Sequence, residues 1–265
     1  MHLPTNTFKA ALTRSEPLLG VWAGFATAYA AEIVAGIGYD WMLIDGEHAP
    51  NTLPSILAQL QAVYPYPTAP IVRAVNDDPA LIKQLLDLGA QTLMIPQVET
   101  AEQARAIVRA MRYAPAGIRG VGGGLTRATR WDAVPDYLAT AHQQLCLIVQ
   151  VESARGVENA REIAEVDGVD AVFIGPADLS TSLGHAGNPA HPQVQASIRQ
   201  AIQATRDAGK QCGILAPVEE DARRYLAWGC RFVAIGIDIS LLRQAARANL
   251  ATYRDAPPAT ASQTY

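Results

Sequence analysis

The sequence predicts a (β/α)8 barrel, and the pattern of apolar residues carries that prediction. Eight short apolar runs rich in Val and Ile alternate with longer segments in which apolar residues recur at helical spacing. The runs are continuously apolar, as expected of parallel strands that are buried on both faces. Eight strand–helix units within about 250 residues match the size of such a barrel. A doubly wound open sheet is the alternative, but no GxGxxG motif follows the first strand.

The predicted elements follow one another without a break in composition. The predicted strands are residues 18–24, 39–45, 69–75, 92–98, 146–152, 169–175, 211–216 and 231–237. The predicted helices are 27–37, 53–63, 79–88, 100–111, 154–165, 192–208, 218–228 and 239–253. Glycines in AGIGYD, LDLGAQ, RDAGKQ and LAWGCR stand where a helix gives way to a strand, as left-handed C-caps require. We expect one domain over residues 1–254 and a flexible tail over 255–265.

One segment departs from the alternation of strands and helices. Residues 113–141 lie between the fourth helix and the fifth strand, and their first half carries five glycines, at 117, 120, 122, 123 and 124. A loop of this length inside a compact domain is more often functional than incidental. We therefore expect this insertion to be functional, with an ordinary surface insertion as the alternative.

Composition narrows the classes of partner. The formal net charge is −4 and no basic patch is present, which argues against nucleic acid. Three cysteines without a CxxC pair suit a reducing compartment. No basic segment followed by an apolar core opens the chain, and the alanine-rich stretch near residue 30 is interrupted by Glu32. We expect a cytoplasmic protein without a membrane partner.

Polar side chains gather at one end of the predicted strands. The carboxyl ends carry Asp45 and His48 (strand two), Arg73 (strand three), Gln150 and Glu152 (strand five) and Asp178 (after strand six). The amino ends are mixed and largely uncharged. Active sites of (β/α)8 barrels lie at the carboxyl ends, so this asymmetry predicts an enzyme.

Two of these carboxylates are candidate metal ligands. Glu152 and Asp178 follow neighbouring strands, and oxygen-only ligands favour a hard cation such as Mg²⁺ or Mn²⁺. Each carboxylate could instead cap the helix that follows it. Gln150 lies two residues before Glu152, so the two side chains share one face of the strand.

Three further residues are candidates for the chemistry itself. His48 could act as a general base, with either Asp45 or Asp87 as the carboxylate that raises its basicity. Arg73, on a central strand, either forms a structural ion pair or binds an anionic substrate oxygen, and its position near the rim favours binding. Glu47 is left without a role.

The lysines exclude one kind of carbonyl chemistry. Lys9, Lys83 and Lys210 all lie away from the carboxyl ends of the strands, so no residue is placed to form a Schiff base. Neither a GxSxG elbow nor a P-loop is present. We expect no organic cofactor.

Several long motifs resemble one enzyme family. DWMLIDGEHAPN, YAPAGIRGVG, VQVE, GVDAVFIGPADLS and GNPAHPQVQ, spread over roughly residues 8 to 250, are similar to the HpcH/HpaI family of metal-dependent (class II) pyruvate aldolases. The likeness is greatest to the enzymes that cleave 4-hydroxy-2-oxoheptane-1,7-dioate to pyruvate and succinate semialdehyde. The 2-dehydro-3-deoxyglucarate aldolases are the alternative, and the citramalyl-CoA and malyl-CoA lyases are a more distant one.

The resemblance implies a role for each candidate residue. Glu152 and Asp178 would hold Mg²⁺, Mn²⁺ or Co²⁺, His48 would be the base, Asp87 would raise its basicity, and Arg73 would stabilise the pyruvate enolate. Gln150, the backbone near Ala177, and Leu215 would contact pyruvate. Arg127 or Arg130, on the insertion, could bind the distal carboxylate of succinate semialdehyde. The resemblance also implies a hexamer, a trimer of dimers that exchange their C-terminal helix.

Overall fold

The computed structural model describes residues 1–254, which form a closed barrel of eight parallel strands in sequential order. The strands are β1 (Leu18–Ala23), β2 (Trp41–Asp45), β3 (Ala69–Arg73), β4 (Thr92–Ile95), β5 (Cys146–Val151), β6 (Ala171–Ile174), β7 (Gln211–Leu215) and β8 (Phe232–Ile237). The predicted (β/α)8 barrel is confirmed, and all eight predicted strands are present. The predicted tail at 255–265 lies outside the described residues.

Helices connect the strands and surround the barrel. They are α1 (Thr7–Ala11), α2 (Ala28–Ala35), α3 (Leu53–Val63), α4 (Pro79–Asp87), α5 (Ala101–Met111), α6 (Tyr137–Gln144), α7 (Ala154–Glu158), α8 (Ala160–Ala164), α9 (Pro176–Ser182), α10 (Pro192–Asp207), α11 (Glu219–Trp228) and α12 (Asp238–Ala251). The predicted helix 154–165 is divided at Asn159, and α1, α6 and α9 were not predicted. Within residues 1–254, no helix has both the length and the apolarity needed to cross a membrane.

Glycine ends the helices at the four junctions where the sequence predicts it. Gly38, Gly89, Gly209 and Gly229 have φ values of 108°, 91°, 73° and 107°. A side chain at positive φ clashes with the backbone, so glycine is the residue that turns the chain into the next strand at least cost. The left-handed caps are therefore confirmed at Gly89, Gly209 and Gly229, whereas α2 is capped by Gly36 in the right-handed conformation and Gly38 follows two residues later.

The amino-terminal end of the barrel is closed by aromatic packing. The ring of Phe8, on α1, packs edge-on against Trp41 and Phe232 at centroid distances of 6.2 and 5.3 Å. Gly20 leaves the space that Trp41 fills, because a Cβ there would lie 2.1 Å from the indole ring. The apolar closure of this end leaves the carboxyl end as the place where polar side chains gather.

The last helix differs from the others in its exposure. Asp238 is the one buried residue of α12, whereas Ile239, Leu242 and Leu250 are 45%, 59% and 50% exposed. The Asp238 carboxylate accepts hydrogen bonds from the backbone N–H groups of Gly24 and Phe25 at 2.9 and 3.2 Å. The start of α12 is thus tied to the loop after β1, while several of its apolar side chains remain about half exposed within this chain.

Candidate active site

A buried ion pair forms where β2 and β3 end. Asp45 and Arg73 are the last residues of these strands and lie opposite each other in the parallel register. The Arg73 guanidinium donates from Nε and Nη2 to the two carboxylate oxygens of Asp45 at 2.9 and 2.6 Å. The Trp22 indole donates to Asp45 Oδ2 at 3.1 Å, and its ring lies 4.9 Å from the Arg73 guanidinium carbon. Arg73 is therefore held on two sides, and such bidentate pairing fixes its orientation.

Glu47 joins this pair, which corrects the prediction that left it without a role. Its Oε2 lies 2.7 Å from Arg73 Nη1 and 3.8 Å from His48 Nε2. The Glu47 side chain is 12% exposed, whereas that of His48 is 67% exposed. Glu47 thus lies between the buried guanidinium and the exposed imidazole.

The loop that carries His48 is held by its backbone. Asp45 Oδ1 accepts hydrogen bonds from the N–H groups of Glu47 and His48 at 3.0 and 3.3 Å. Asn51 donates from Nδ2 to the Asp45 carbonyl at 2.7 Å, and the buried Gln59 donates to the Asn51 side chain. Asp45 therefore positions both Arg73 and the backbone of His48.

A second cluster lies where β5 ends. Glu152 Oε2 accepts a hydrogen bond from Gln150 Nε2 at 2.6 Å, and its Oε1 accepts one from the backbone N–H of Gln97 at 2.9 Å. A Cβ on Gly175 would lie 2.4 Å from Glu152 Oε2, so glycine at this position is what leaves room for the carboxylate. Gln150 and Glu152 share a face of the strand end, as predicted.

The three buried carboxyl groups differ in how readily they ionise. Burial works to raise the pKa of Asp45, but the hydrogen bonds and charge of Arg73 outweigh it and hold the pKa below its ordinary value. Burial raises the pKa of Glu47 despite Arg73. Burial raises the pKa of Glu152 to about 7, and the charges of Asp178 and Glu47 add to that rise. The site therefore holds more negative charge than Arg73 compensates.

Asp178 brings a further carboxylate to this cluster. It lies in the first turn of α9, just after β6, and its side chain is exposed. Within residues 1–254, no group of three or more His, Cys, Asp or Glu side chains is arranged to hold a metal ion. Glu152 and Asp178 would therefore supply two ligands, and water or substrate oxygens the others, as is common for Mg²⁺.

The donor set fits such an ion in two further respects. The Oε1 atom of Gln150 is buried, and no residue of the described chain donates a hydrogen bond to it. Burial raises the pKa of Glu152 to about 7, so its ionised form is disfavoured where it lies. A dication beside these oxygens would meet both needs.

The remaining predicted residues divide between the two ends of the barrel. Ala177, in the first turn of α9, and Leu215, the last residue of β7, lie at the carboxyl end with the clusters above. Asp87 ends α4 and accepts a hydrogen bond from the buried Arg119 at 2.7 Å. Among the described residues, the acidic side chains that contact His48 come from its own loop, so within one chain Asp45 and Glu47, and not Asp87, are its neighbours.

Arg127 and Arg130 lie at the amino-terminal end, away from this site. Arg127 Nη1 donates to the Leu88 carbonyl at 2.9 Å, and the two guanidinium carbons lie 6.0 and 5.1 Å from the centre of the Tyr64 ring. The prediction that either arginine binds substrate with the residues at the strand ends is therefore not met within a single chain. The chain path through a long insertion is not specified by any local pattern.

Two contributors escaped sequence reasoning. Trp22 lies one residue before the end of β1. Its position could have been noticed in the sequence, because it brings an indole N–H donor to the same rim as the carboxylates. Gln97 contributes its backbone N–H from a left-handed conformation, with φ of 53°. No feature of the sequence marks that conformation, because glutamine rarely adopts it.

Comparisons with known proteins identify the family of the chain. The sequence profile of the HpcH/HpaI aldolase/citrate lyase family matches residues 18–245. A hydroxypyruvate/pyruvate aldolase of Delftia acidovorans is 71% identical over the full length of both chains. A 4-hydroxy-2-oxo-heptane-1,7-dioate aldolase of Klebsiella pneumoniae is 55% identical over 94% of each chain. A crystal structure of an HpcH/HpaI aldolase/citrate lyase family protein from Burkholderia cenocepacia superposes with a TM-score of 0.91 at 42% identity, over 94% of this chain and all of that one.

Proposed function

The chain belongs to the HpcH/HpaI aldolase/citrate lyase family and is an aldolase, a carbon–carbon lyase. We propose that it makes and breaks the bond between a 2-oxo acid and an aldehyde at the carboxyl end of the barrel. The observation that carries the proposal is Arg73, buried and oriented by Asp45 and Trp22 beside a cluster of under-compensated carboxylates.

Arg73 is suited to a substrate oxygen that gains negative charge. Two of its five N–H groups donate to Asp45, and Nη1 also lies 2.7 Å from Glu47 Oε2, which leaves one N–H group on each Nη atom for a ligand. Its orientation is set before substrate arrives, so little reorganisation is needed when charge develops on the 2-oxo acid as the carbon–carbon bond breaks.

Glu152 and Asp178, with Gln150 Oε1 nearby, would hold a divalent cation. When bound, Mg²⁺, Mn²⁺ or Co²⁺ supplies Lewis-acid polarisation of the 2-oxo acid. The protein's contribution is to hold the Glu152 carboxylate in place, through the hydrogen bonds from Gln150 and the Gln97 backbone.

His48 is the group placed to move a proton. In cleavage it would take the proton of the C4 hydroxyl, directly or through water, and in condensation it would return that proton to the aldehyde oxygen. Its ring is exposed, so an aldehyde or water can reach it, and Glu47 Oε2 at 3.8 Å can balance the imidazolium charge.

Two substrates deserve separate tests. Hydroxypyruvate or pyruvate as donor with a small aldehyde is favoured by the 71% identity with the Delftia acidovorans aldolase. Cleavage of 4-hydroxy-2-oxoheptane-1,7-dioate to pyruvate and succinate semialdehyde is favoured by the 55% identity with the Klebsiella pneumoniae enzyme. The distal carboxylate of succinate semialdehyde needs a cation to bind it, and Arg127 and Arg130 lie at the opposite, amino-terminal end of the barrel. We therefore favour the smaller, uncharged aldehydes.

We also propose that the chain forms a homo-oligomer through α12. Ile239, Leu242 and Leu250 would otherwise leave an apolar face in water, and burying it against a second copy would be favourable. This exposure supports the exchange of the C-terminal helix that the family resemblance implies.

The test of the proposed function begins with protein stripped of metal by a chelator and then dialysed. Reloading with Mg²⁺, Mn²⁺ or Co²⁺ should restore release of pyruvate from 4-hydroxy-2-oxo acids and condensation of hydroxypyruvate with aldehydes. Rates with succinate semialdehyde and with an uncharged aldehyde of similar length would decide between the two substrates. Activity that persists in full without metal, or no cleavage of any 2-oxo acid with it, would contradict the proposal.

A further inference from the structure

A cavity of about 200 Å³ lies at the amino-terminal end of the barrel, opposite the candidate active site. Its walls come from the segment before α1, the end of α3, the loop before β4, and the insertion. Much of the wall is apolar, and it includes Leu3, Leu60, Val63, Pro67 and Leu145. The function proposed above makes no use of this space.

Two cations face the cavity without a counter-ion. Arg127 and Arg130 both line it, and none of the residues that line it is Asp or Glu. Among the ion pairs of residues 1–254, neither arginine takes part in one. Burial and the charge of Arg130 lower the pKa of Arg127, as expected where a guanidinium lacks an anionic partner.

The chain holds both guanidinium groups in place. Arg127 Nη1 donates to the Leu88 carbonyl, and Gly89 leaves space for it, since a Cβ there would lie 2.8 Å from that nitrogen. The Tyr64 ring lies beneath both groups. Arg130, Trp131 and Asp132 have φ of 52°, 55° and 64°, and three successive non-glycine residues in this region are costly. Strain of this kind persists where the surroundings fix it, and it concentrates at binding sites.

We propose that this cavity is a second ligand site, which binds a small organic acid made of one aromatic ring and a carboxylate. The carboxylate pairs with Arg127 and Arg130, and the ring fills the apolar part. The size agrees, because a cavity of about 150 Å³ accommodates benzene, and this cavity of about 200 Å³ is larger than that. An inorganic anion would satisfy the arginines but leave the apolar wall unfilled.

The proposal is tested by calorimetric titration of the full-length protein with benzoate. We expect one molecule bound per chain, and binding of benzamide, the neutral analogue of the same shape, at least tenfold weaker. Inorganic phosphate should also bind at least tenfold more weakly than benzoate. Absence of benzoate binding, or benzamide or phosphate binding as tightly, would overturn the proposal without touching the aldolase function.

Variants locate the site. Arg127→Gln and Arg130→Gln should each weaken benzoate binding at least tenfold, whereas Arg105→Gln, an exposed arginine on α5 outside the cavity, should leave it unchanged. Arg73→Ala should also retain benzoate binding, and its loss there would instead put the ligand at the active site and refute the assignment. Circular dichroism checks that each variant is folded. If one cavity variant is not folded, the other variant and the comparison of benzoate with benzamide still test whether the ligand binds in this cavity.

Discussion

Replacing Glu152 by Gln should stabilise the metal-free protein at neutral and alkaline pH. The carboxylate is 5% exposed, and burial together with Asp178 and Glu47 raises its pKa to about 7. Gln150 Oε1 has no donor in the described chain, so it can accept from a new amide at position 152 if the Gln150 side chain turns over. The substitution therefore removes a charge without leaving a broken hydrogen bond.

The expected magnitude follows from the pKa. A rise from the ordinary value of 4.5 to about 7 corresponds to about 3.5 kcal/mol, at about 1.4 kcal/mol per pH unit. The folded protein favours the protonated form of Glu152, so the contribution of this residue to the free energy of unfolding is highest below pH 4.5. It should fall as the pH rises through about 7 and level off above that. Glu152→Gln lacks this decrease.

Urea denaturation in the presence of chelator, between pH 5 and pH 8.5, measures the effect. The difference in free energy of unfolding between the wild-type protein and Glu152→Gln removes the contributions of the other titrating groups. Glu165→Gln is the matched control, because Glu165 is an exposed carboxylate on the surface. Addition of Mg²⁺ or Mn²⁺ at pH 8 should stabilise the wild type, by about 2.7 kcal/mol at 100 times the dissociation constant, and should leave Glu152→Gln unchanged.

One result would refute the reasoning. If the wild-type protein and Glu152→Gln lose stability in parallel as the pH rises, the Glu152 carboxylate is not held at a cost and the electrostatic account of the site is wrong. If both are stabilised equally by the cation, Glu152 is not among its ligands.

Three further substitutions test the rest of the site. His48→Ala should lower kcat by about 10²–10⁴ while the melting temperature stays unchanged, since the ring is exposed; an unaltered rate would remove His48 from the mechanism. Arg73→Lys keeps the charge but loses the two-point pairing with Asp45, so pyruvate release should fall at least about 100-fold, and a smaller loss would make Arg73 structural. Gly175→Ala would push a methyl group against Glu152, so its dissociation constant for Mn²⁺, measured by electron paramagnetic resonance, should rise at least tenfold; an unchanged constant would contradict the role of that glycine.

Most of the fold was predictable because the hydrophobic pattern of a parallel barrel is strong and repeated. Each strand is buried on both faces, so it stands out as an apolar run, and four of the helix–strand junctions are marked by a glycine. The elements that were missed are short. In α1, for example, five residues are stabilised by Phe8 packing into the barrel rather than by a helical period of their own.

Only those residues of the candidate site that lie at the ends of strands could be located from the sequence. The rule that strand ends meet at one rim grouped Asp45 with Arg73 correctly, because parallel register aligns them. It could not show that Glu47 reaches Arg73, since the orientation of a loop side chain depends on the hydrogen bonds that its backbone makes. The positions of Arg127 and Arg130 were mispredicted for the same reason, since they depend on how the insertion folds over the amino-terminal end of the barrel.

The charges at the rim explain why this site suits a cation as well as an anionic substrate. Asp45 and Arg73 compensate each other through two hydrogen bonds, and that pairing keeps the pKa of Asp45 low. Glu47, Glu152 and Asp178 then remain with little positive charge to balance them. Burial raises the pKa values of Glu47 and Glu152, and the neighbouring carboxylates add to that rise. A dication at the carboxylates removes this imbalance and makes the rim attractive to the carboxylate of a 2-oxo acid. We therefore expect the substrate to bind more weakly before the metal than after it, so that KM for pyruvate falls as metal saturation rises.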